Sequence, residues 1–359
     1  MKKRLKNWIK SIINKAKSNW RIADLLSDQP VLSEKEFGRF VNSVGYKHAL
    51  IAGLRDQLKP GWRSMFVPDS KKSTFTQPMA AKKALYGYER IYKTKCLLKK
   101  TGIEFDKGTA LEFGCYDGKD TYGLLAHGFS KVVGSDIINY TVLQKHGSNH
   151  SQNEVITAET QMTKVRNMLK MAFLDAGYIS ETSAENINFI EEDIADSQLE
   201  ESSFQWIFSW ETLEHVINPE KMINNIARLL SPGGIFYSIY NPFFCLTGGH
   251  SLCTLDFLWG HARLSRKDFL RYLDEFRPDE KDLAMNFFIS CLNRMSLADL
   301  RQYITQAGLE EVLLLPIPNE GHLAIVPEEA LLQVQRYYPT VTLADLISPS
   351  VHIVARKPK

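Results

Sequence analysis

The stretch LEFGCYDGKDTYGLL, residues 111–125, decides how the chain folds. It leaves a short apolar run, TALEFG (109–114), turns on Gly114 and Gly118, and opens a helical pattern that Gly128 closes. A strand that turns sharply into a helix favours glycine, because the backbone must bend and a ligand can approach it closely. The exposed amides of the new helix can then bind a carboxylate or another polar group. A glycine pair of this kind also occurs in plain strand-to-helix connections, so its neighbours have to carry the argument.

Outward from this turn, strand-like and helical segments alternate. KVVGSDI (131–137), INFIEEDI (187–194), FQWIFSW (204–210) and IFYSIYN (235–241) read as further strands. TQMTKVRNMLKMAFLDAGY and PEKMINNIARLLSPGG, the latter ended by Gly233 and Gly234, read as helices between them. EEVLLLPIP (310–318) and VHIVARKP (351–358) add two late strands. The rhythm predicts parallel strands with right-handed crossovers in a doubly wound α/β sheet. Asp136 closes the second strand, 22 residues after Gly114, where a carboxylate can accept both hydroxyls of a ribose. Asp193 closes the third, where an adenine edge would lie; the plainer alternative is that both aspartates cap helices.

These pieces together resemble the class I S-adenosylmethionine-dependent methyltransferases over about residues 85–359. LEFGCYDG, VVGSDI, INFIEEDI, FQWIFSWETLEHV, ARLLSPGGIFYSI and VHIVARKP carry the resemblance. It implies a Rossmann-like sheet of seven strands, the last one antiparallel, and S-adenosylmethionine as cofactor. By the same resemblance, Glu112 and Gly114 line the methionine part, with Gly118 in the same turn. Asp136 binds the ribose, Asp193 and Ile194 border the adenine, and Trp210 lies near the sulfonium, whose charge an aromatic face attracts. Tyr116 stands where the family usually has its middle glycine.

Just past the fourth strand, SWETLEHVINP sets Glu211, Glu214 and His215 within five residues. On a helical turn the three would share one face at the mouth of the crevice. Two carboxylates and an imidazole can form part of a divalent-cation shell, for instance around Mg2+. They can also face an acceptor without metal, His215 acting as base, or simply start a helix. The Glu-x-x-Glu-His pattern is similar to that of the ubiquinone-biosynthesis O-methyltransferases and the small-RNA 2′-O-methyltransferases. That similarity implies a further histidine after strand five, and position favours His261 over His250.

The composition, 44% hydrophobic and 24% charged, is that of an ordinary soluble globular chain. The five cysteines form no CxxC pair, which fits a reduced, cytoplasmic compartment. Charge is uneven: residues 1–21 hold eight Lys/Arg and no acid, leaving 36 basic against 41 acidic side chains elsewhere. Trp8, Ile12, Ile13 and Trp20 share one face of that segment, so it reads as a basic amphipathic helix for an anionic membrane surface, for docking on protein, or as an arm. Residues 22–84 read as a mainly helical extension. Insertions at about 139–160, 242–265 and 319–349 would shape an acceptor pocket, 242–265 being too long for an ordinary connection. The acceptor expected is a small-molecule or lipid-linked hydroxyl, such as a quinone precursor or a glycan. RNA 2′-O-methylation and a non-catalytic scaffold are the alternatives, nucleic acid being disfavoured by the net acidic body.

Overall fold

The computed structural model describes residues 35–66, 74–105, 107–137 and 152–359. The basic segment 1–21 and the first half of the expected insertion at 139–160 lie outside those residues.

Seven strands form one sheet: β3 (Thr109–Phe113), β4 (Lys131–Asp136), β5 (Ile187–Glu191), β6 (Phe204–Trp210), β7 (Leu230–Tyr240), β8 (Glu310–Ile317) and β9 (Ser350–Arg356). Their order is β5-β4-β3-β6-β7-β9-β8. Neighbours from β5 to β7 are parallel, whereas β9 runs antiparallel to both β7 and β8. The chain winds outward from β3 to β5 and returns to start again at β6. The switch point therefore lies where β3 and β6 end side by side, the place such sheets bind ligands.

Both faces of the sheet are covered, so its strands are apolar almost throughout. β6 shows this best. Trp206, Phe208 and Trp210 point to one face as a stacked ladder with ring centroids 5.5 and 5.4 Å apart, while Ile207 packs on the other. On the tryptophan face lie α1 (Gln77–Lys100), α2 (Lys119–Ala126) and α3 (Gln152–Asp175). On the other lie α4 (Pro219–Leu229) and α7 (Leu297–Gln306).

A third apolar cluster sits on neither face. It joins Phe40 and Leu50 to Phe243, Phe244 and Trp259, to helices α5 (Arg266–Phe276) and α6 (Lys281–Ser290), and to Val334 and Leu346. Residues 242–265, expected from sequence to be an insertion too long for an ordinary connection, are thus the buried heart of an ordered lobe. The expected insertion 319–349 adds the short helices Glu320–Ile325, Ala330–Gln335 and Leu343–Ile347.

Three sequence expectations need correcting. Residues 36–51, assigned to a mainly helical extension, are a hairpin of β1 (Glu36–Val41) and β2 (Lys47–Ile51). Its pattern has period two: Phe40 and Leu50 point into the third cluster while Phe37 and Val41 face outward. Asn42 sets the turn by accepting the amides of Val44 and Tyr46. The domain boundary placed at 85 falls inside α1, which starts at Gln77. Helix α4 stops at Leu229, not at the glycines. Leu230 already pairs with Phe204, and Ser231–Gly234 bulge before Ile235 pairs with Trp206.

Candidate functional site

The nucleotide end is built by the turn between β3 and α2. Gly114 adopts φ +70°, and a Cβ there would lie 2.1 Å from the Thr212 hydroxyl, so glycine is required on both counts. Gly118 (φ +83°) then caps α2. Between them Tyr116, in the position of the usual glycine, is itself left-handed at φ 44°. Strain of this kind persists only when the surroundings hold it. Arg166 of α3 does so, donating to the Tyr116 carbonyl from Nη2 (2.7 Å) and Nε (3.2 Å).

Asp136 ends β4 beside this turn and accepts the Tyr116 amide at 2.5 Å. Burial raises its pKa to about 6 against the lowering effect of that hydrogen bond and of Arg166. Glu112 is buried and accepts from the Thr121 hydroxyl. Burial, then the neighbouring Asp120, pushes its carboxyl well above the usual range. Arg90 of α1 bridges Asp120 (3.1 Å) and Glu211 (3.1 Å), tying this end to the next. Asp193 caps the turn Ile194–Asp196 by accepting the Ala195 amide at 2.8 Å, the plainer of its two expected roles, and Ile194 is core. Trp210 is buried at the tip of β6, and its Nε1 has no acceptor among the described residues.

At the other end of the crevice is a cavity of about 450 Å³ between the tips of β6 and β7 and the third-cluster lobe. Lys59, Glu211, Glu214, His215, Asn241 and His250 contribute its polar lining. Here the expected single helix face is absent. Glu211 leaves β6 in a left-handed conformation (φ 58°), with its side chain 65% exposed on Arg90. Only Leu213–His215 coil, as one 3-10 turn. That turn is fixed by Asn293, whose Nδ2 donates to the carbonyls of Leu213 (2.6 Å) and Val216 (2.8 Å).

Glu214, His215 and His250 converge instead, one ligand atom from each lying within 4.8 Å of the others. The His215 Nδ1 donates to the Cys291 carbonyl at 2.6 Å, so Nε2 is the nitrogen with the lone pair. A carbonyl in that role is what orients a ligating histidine. The Glu214 Oε2 and the His250 Nε2 are buried with no hydrogen-bond partner among the described residues. Buried polar atoms in folded proteins are almost always paired, so these orphans fit a bound group. His250 is also left-handed (φ 51°), a second backbone outlier in one cavity.

His261, the residue that position favoured, does not reach the cavity. It is buried in the lobe with Nε2 against the Phe243 carbonyl at 2.8 Å. The segment from 242 doubles back, so His250 and not His261 comes to the strand tips. Burial drives all three converging groups toward neutrality: Glu214 up to about 8, His215 down to about 4, His250 well below its usual value. Lys59 was not anticipated. It follows the short helix Leu54–Leu58, and burial lowers its ammonium from the ordinary lysine value, partly offset by Cys245 and Glu214.

Comparison with known proteins matches residues 86–314 to the methyltransferase domain family. The chain is 28% identical over 156 residues to the mitochondrial ubiquinone biosynthesis O-methyltransferase of Dictyostelium discoideum. That match takes in 43% of this chain and 42% of the relative, so the chain spans less than half the length of the curated protein it resembles. Among solved structures, a candidate sarcosine dimethylglycine methyltransferase from Galdieria sulphuraria is 14% identical, covering 76% of this chain and 86% of that one at a TM-score of 0.43. Geranyl diphosphate methyltransferase in complex with S-adenosylmethionine is 12% identical, covering 74% and 84% at a TM-score of 0.40.

Proposed function

Because the chain belongs to the methyltransferase domain family and is an S-adenosylmethionine-dependent methyltransferase, we propose that it methylates a hydroxyl of a small or lipid-linked acceptor with the help of a divalent cation. S-adenosylmethionine, when bound, supplies a methyl group on a sulfonium. The donor set at the strand tips fits it. The left-handed turn at Gly114 and Gly118 presents the amides of the α2 start, Asp136 offers a carboxylate for ribose hydroxyls, and the unpaired Trp210 Nε1 offers a donor.

A hydroxyl is a poor nucleophile until it loses its proton. His215 is a weak base for that task, since burial holds its pKa near 4 and its Nδ1 is committed to Cys291. The orphaned Glu214 Oε2 and His250 Nε2 beside His215 carry the proposal. Glu214, His215 and His250 would hold a divalent cation, whose charge lowers the pKa of an acceptor hydroxyl. Two nitrogens and one carboxylate suit a transition-metal ion that accepts imidazole, Mn2+ among them, better than Mg2+, which prefers oxygen. The relative's name, ubiquinone biosynthesis O-methyltransferase, supports oxygen as the methylated atom and a quinone precursor as acceptor class.

The basic segment 1–21 and the outward Phe37 and Val41 of the hairpin support peripheral contact with an anionic membrane. Among the described residues, no helix is long and apolar enough to cross one. Liposome sedimentation of the full chain against one lacking residues 1–21 checks that contact.

The decisive test of the reaction is turnover of a catechol acceptor by chelator-stripped protein. Activity should vanish on stripping and return with Mn2+, while S-adenosylmethionine affinity holds. Chelator-resistant turnover would remove the cation.

A further inference from the structure

We propose that Lys59 makes the acceptor cavity selective for a hydroxyl compound that also carries an acidic group, a carboxylate or a phosphate. The inference rests on reading that cavity as the acceptor site.

Lysine heads normally extend into water along an apolar stem. Lys59 instead lines the cavity, and its backbone leaves it little choice. Its amide donates to the Arg55 carbonyl at 2.9 Å, and its carbonyl accepts the Trp62 amide at 3.1 Å. Arg55 is itself clamped, donating to both oxygens of Glu280 (3.2 and 2.9 Å) with its guanidinium 3.6 Å from the Trp62 ring centroid. Upstream, the Ile51 amide donates to the Asp256 carbonyl at 2.7 Å, so the hairpin and the lobe carry Lys59 as one piece.

Among the described residues its ammonium makes no ion pair. Of the two carboxylates that line the cavity, Glu211 is turned out to Arg90 and Glu214 accepts the Asn241 amide at 3.3 Å. Among the described residues that line the cavity, Lys59 is the one lysine or arginine, and it shares that lining with His215, His250 and Asn241. A bound divalent cation would make the cavity more positive still. A partly buried charge without a partner is costly, and an acidic group on the acceptor supplies the partner.

Calorimetric titration of the full chain with S-adenosylhomocysteine bound tests this. The probes are 3,4-dihydroxybenzoate, 3,4-dihydroxyphenylphosphonate and the neutral isostere 3,4-dihydroxybenzamide. At least one acid should bind about tenfold tighter than the amide, equivalent to about 1.4 kcal/mol, and the tighter acid distinguishes carboxylate from phosphate. Lys59→Met should bring acid and amide within about twofold of each other, and Lys59→Arg should keep most of the preference. S-adenosylhomocysteine affinity reports that the variant is folded; Lys59→Gln carries the same test if Lys59→Met is not. An amide that binds as tightly as the acids, no binding of either acid, or a preference that survives in Lys59→Met would overturn the proposal. Because binding and not turnover is read, such a result leaves methyl transfer standing, and chelator-resistant turnover leaves this result readable.

Discussion

The two ends of the crevice, linked by Arg90 between Asp120 and Glu211, differ in how their buried charges are partnered. At the nucleotide end the buried carboxylates have charged or amide partners, Asp120 with Arg90 and Lys119 and Asp136 with the Tyr116 amide and the nearby Arg166. Burial nevertheless raises Glu112, Asp120 and Asp136 as well, and leaves Asp120 Oδ1 and Trp210 Nε1 unpaired among the described residues. At the proposed acceptor end, Glu214 and His250 keep buried atoms without hydrogen-bond partners among the described residues, and burial pushes Glu214, His215 and His250 toward their neutral forms. In the proposed reading the first end is pre-organised for the cofactor, and the second would gain its charge from a cation that displaces the Glu214 proton.

The sharpest way to break this contrast is at Asp136. Removing paired charge-assisted hydrogen bonds, each worth about 1.5–3 kcal/mol, should cut S-adenosylmethionine affinity by at least about 100-fold in Asp136→Ala. Calorimetry on the folded variant reads it. Affinity of the parent should also fall as pH drops below about 6, where Asp136 takes up its proton, and Asp136→Asn should be flat across that range.

At the other end the same kind of change should stabilise. The folded-state pKa of Glu214, about 8, lies above the ordinary 4.5. The stability this carboxyl contributes is therefore complete below pH 4.5 and is lost as pH rises through about 8. At pH 7 the shift opposes the cation-free fold by up to about 3 kcal/mol. Glu214→Gln should raise the unfolding midpoint of metal-free protein at neutral pH, flatten its pH dependence between 4.5 and 8, and abolish the response to Mn2+. A lowered midpoint would mean the carboxylate is already paired.

A smaller effect separates the two histidines. His250→Ala should lower Mn2+-dependent turnover by at least about tenfold, ligand loss exceeding the effect of losing an outer-shell partner. His261→Ala should leave the Mn2+ dependence intact and cost about 1–3 kcal/mol of stability, through the lost bond to Phe243 and the packing around it.

The same contrast explains what the sequence revealed. The nucleotide end is a local device: Gly114, Gly118 and Asp136 are separated by single elements, and strand period and turn chemistry expose them directly. Strand β6 was legible to the residue because its apolar run matches its burial. The acceptor end is assembled over long range. Lys59 comes from a segment after the hairpin, His250 from the buried lobe, and Asn293, which pins the Glu214 turn, from beyond α6. Spacing along the chain says little about which loop doubles back, so position pointed to His261 and nothing pointed to Lys59. Glu211 was misjudged for a related reason. Its left-handed backbone is imposed by the β6 exit, where its amide donates to the Ile239 carbonyl at 2.8 Å, and helical spacing cannot anticipate that.

The account turns on a cation held by Glu214, His215 and His250 beside the methyl-donor crevice. Crystals of the S-adenosylhomocysteine complex grown with Mn2+ at pH 8 would locate it by anomalous scattering. One strong peak within coordination distance of the Glu214 carboxylate and both imidazoles is the predicted result. No peak there at saturating Mn2+, or a peak on Glu211 or His261 instead, would contradict it.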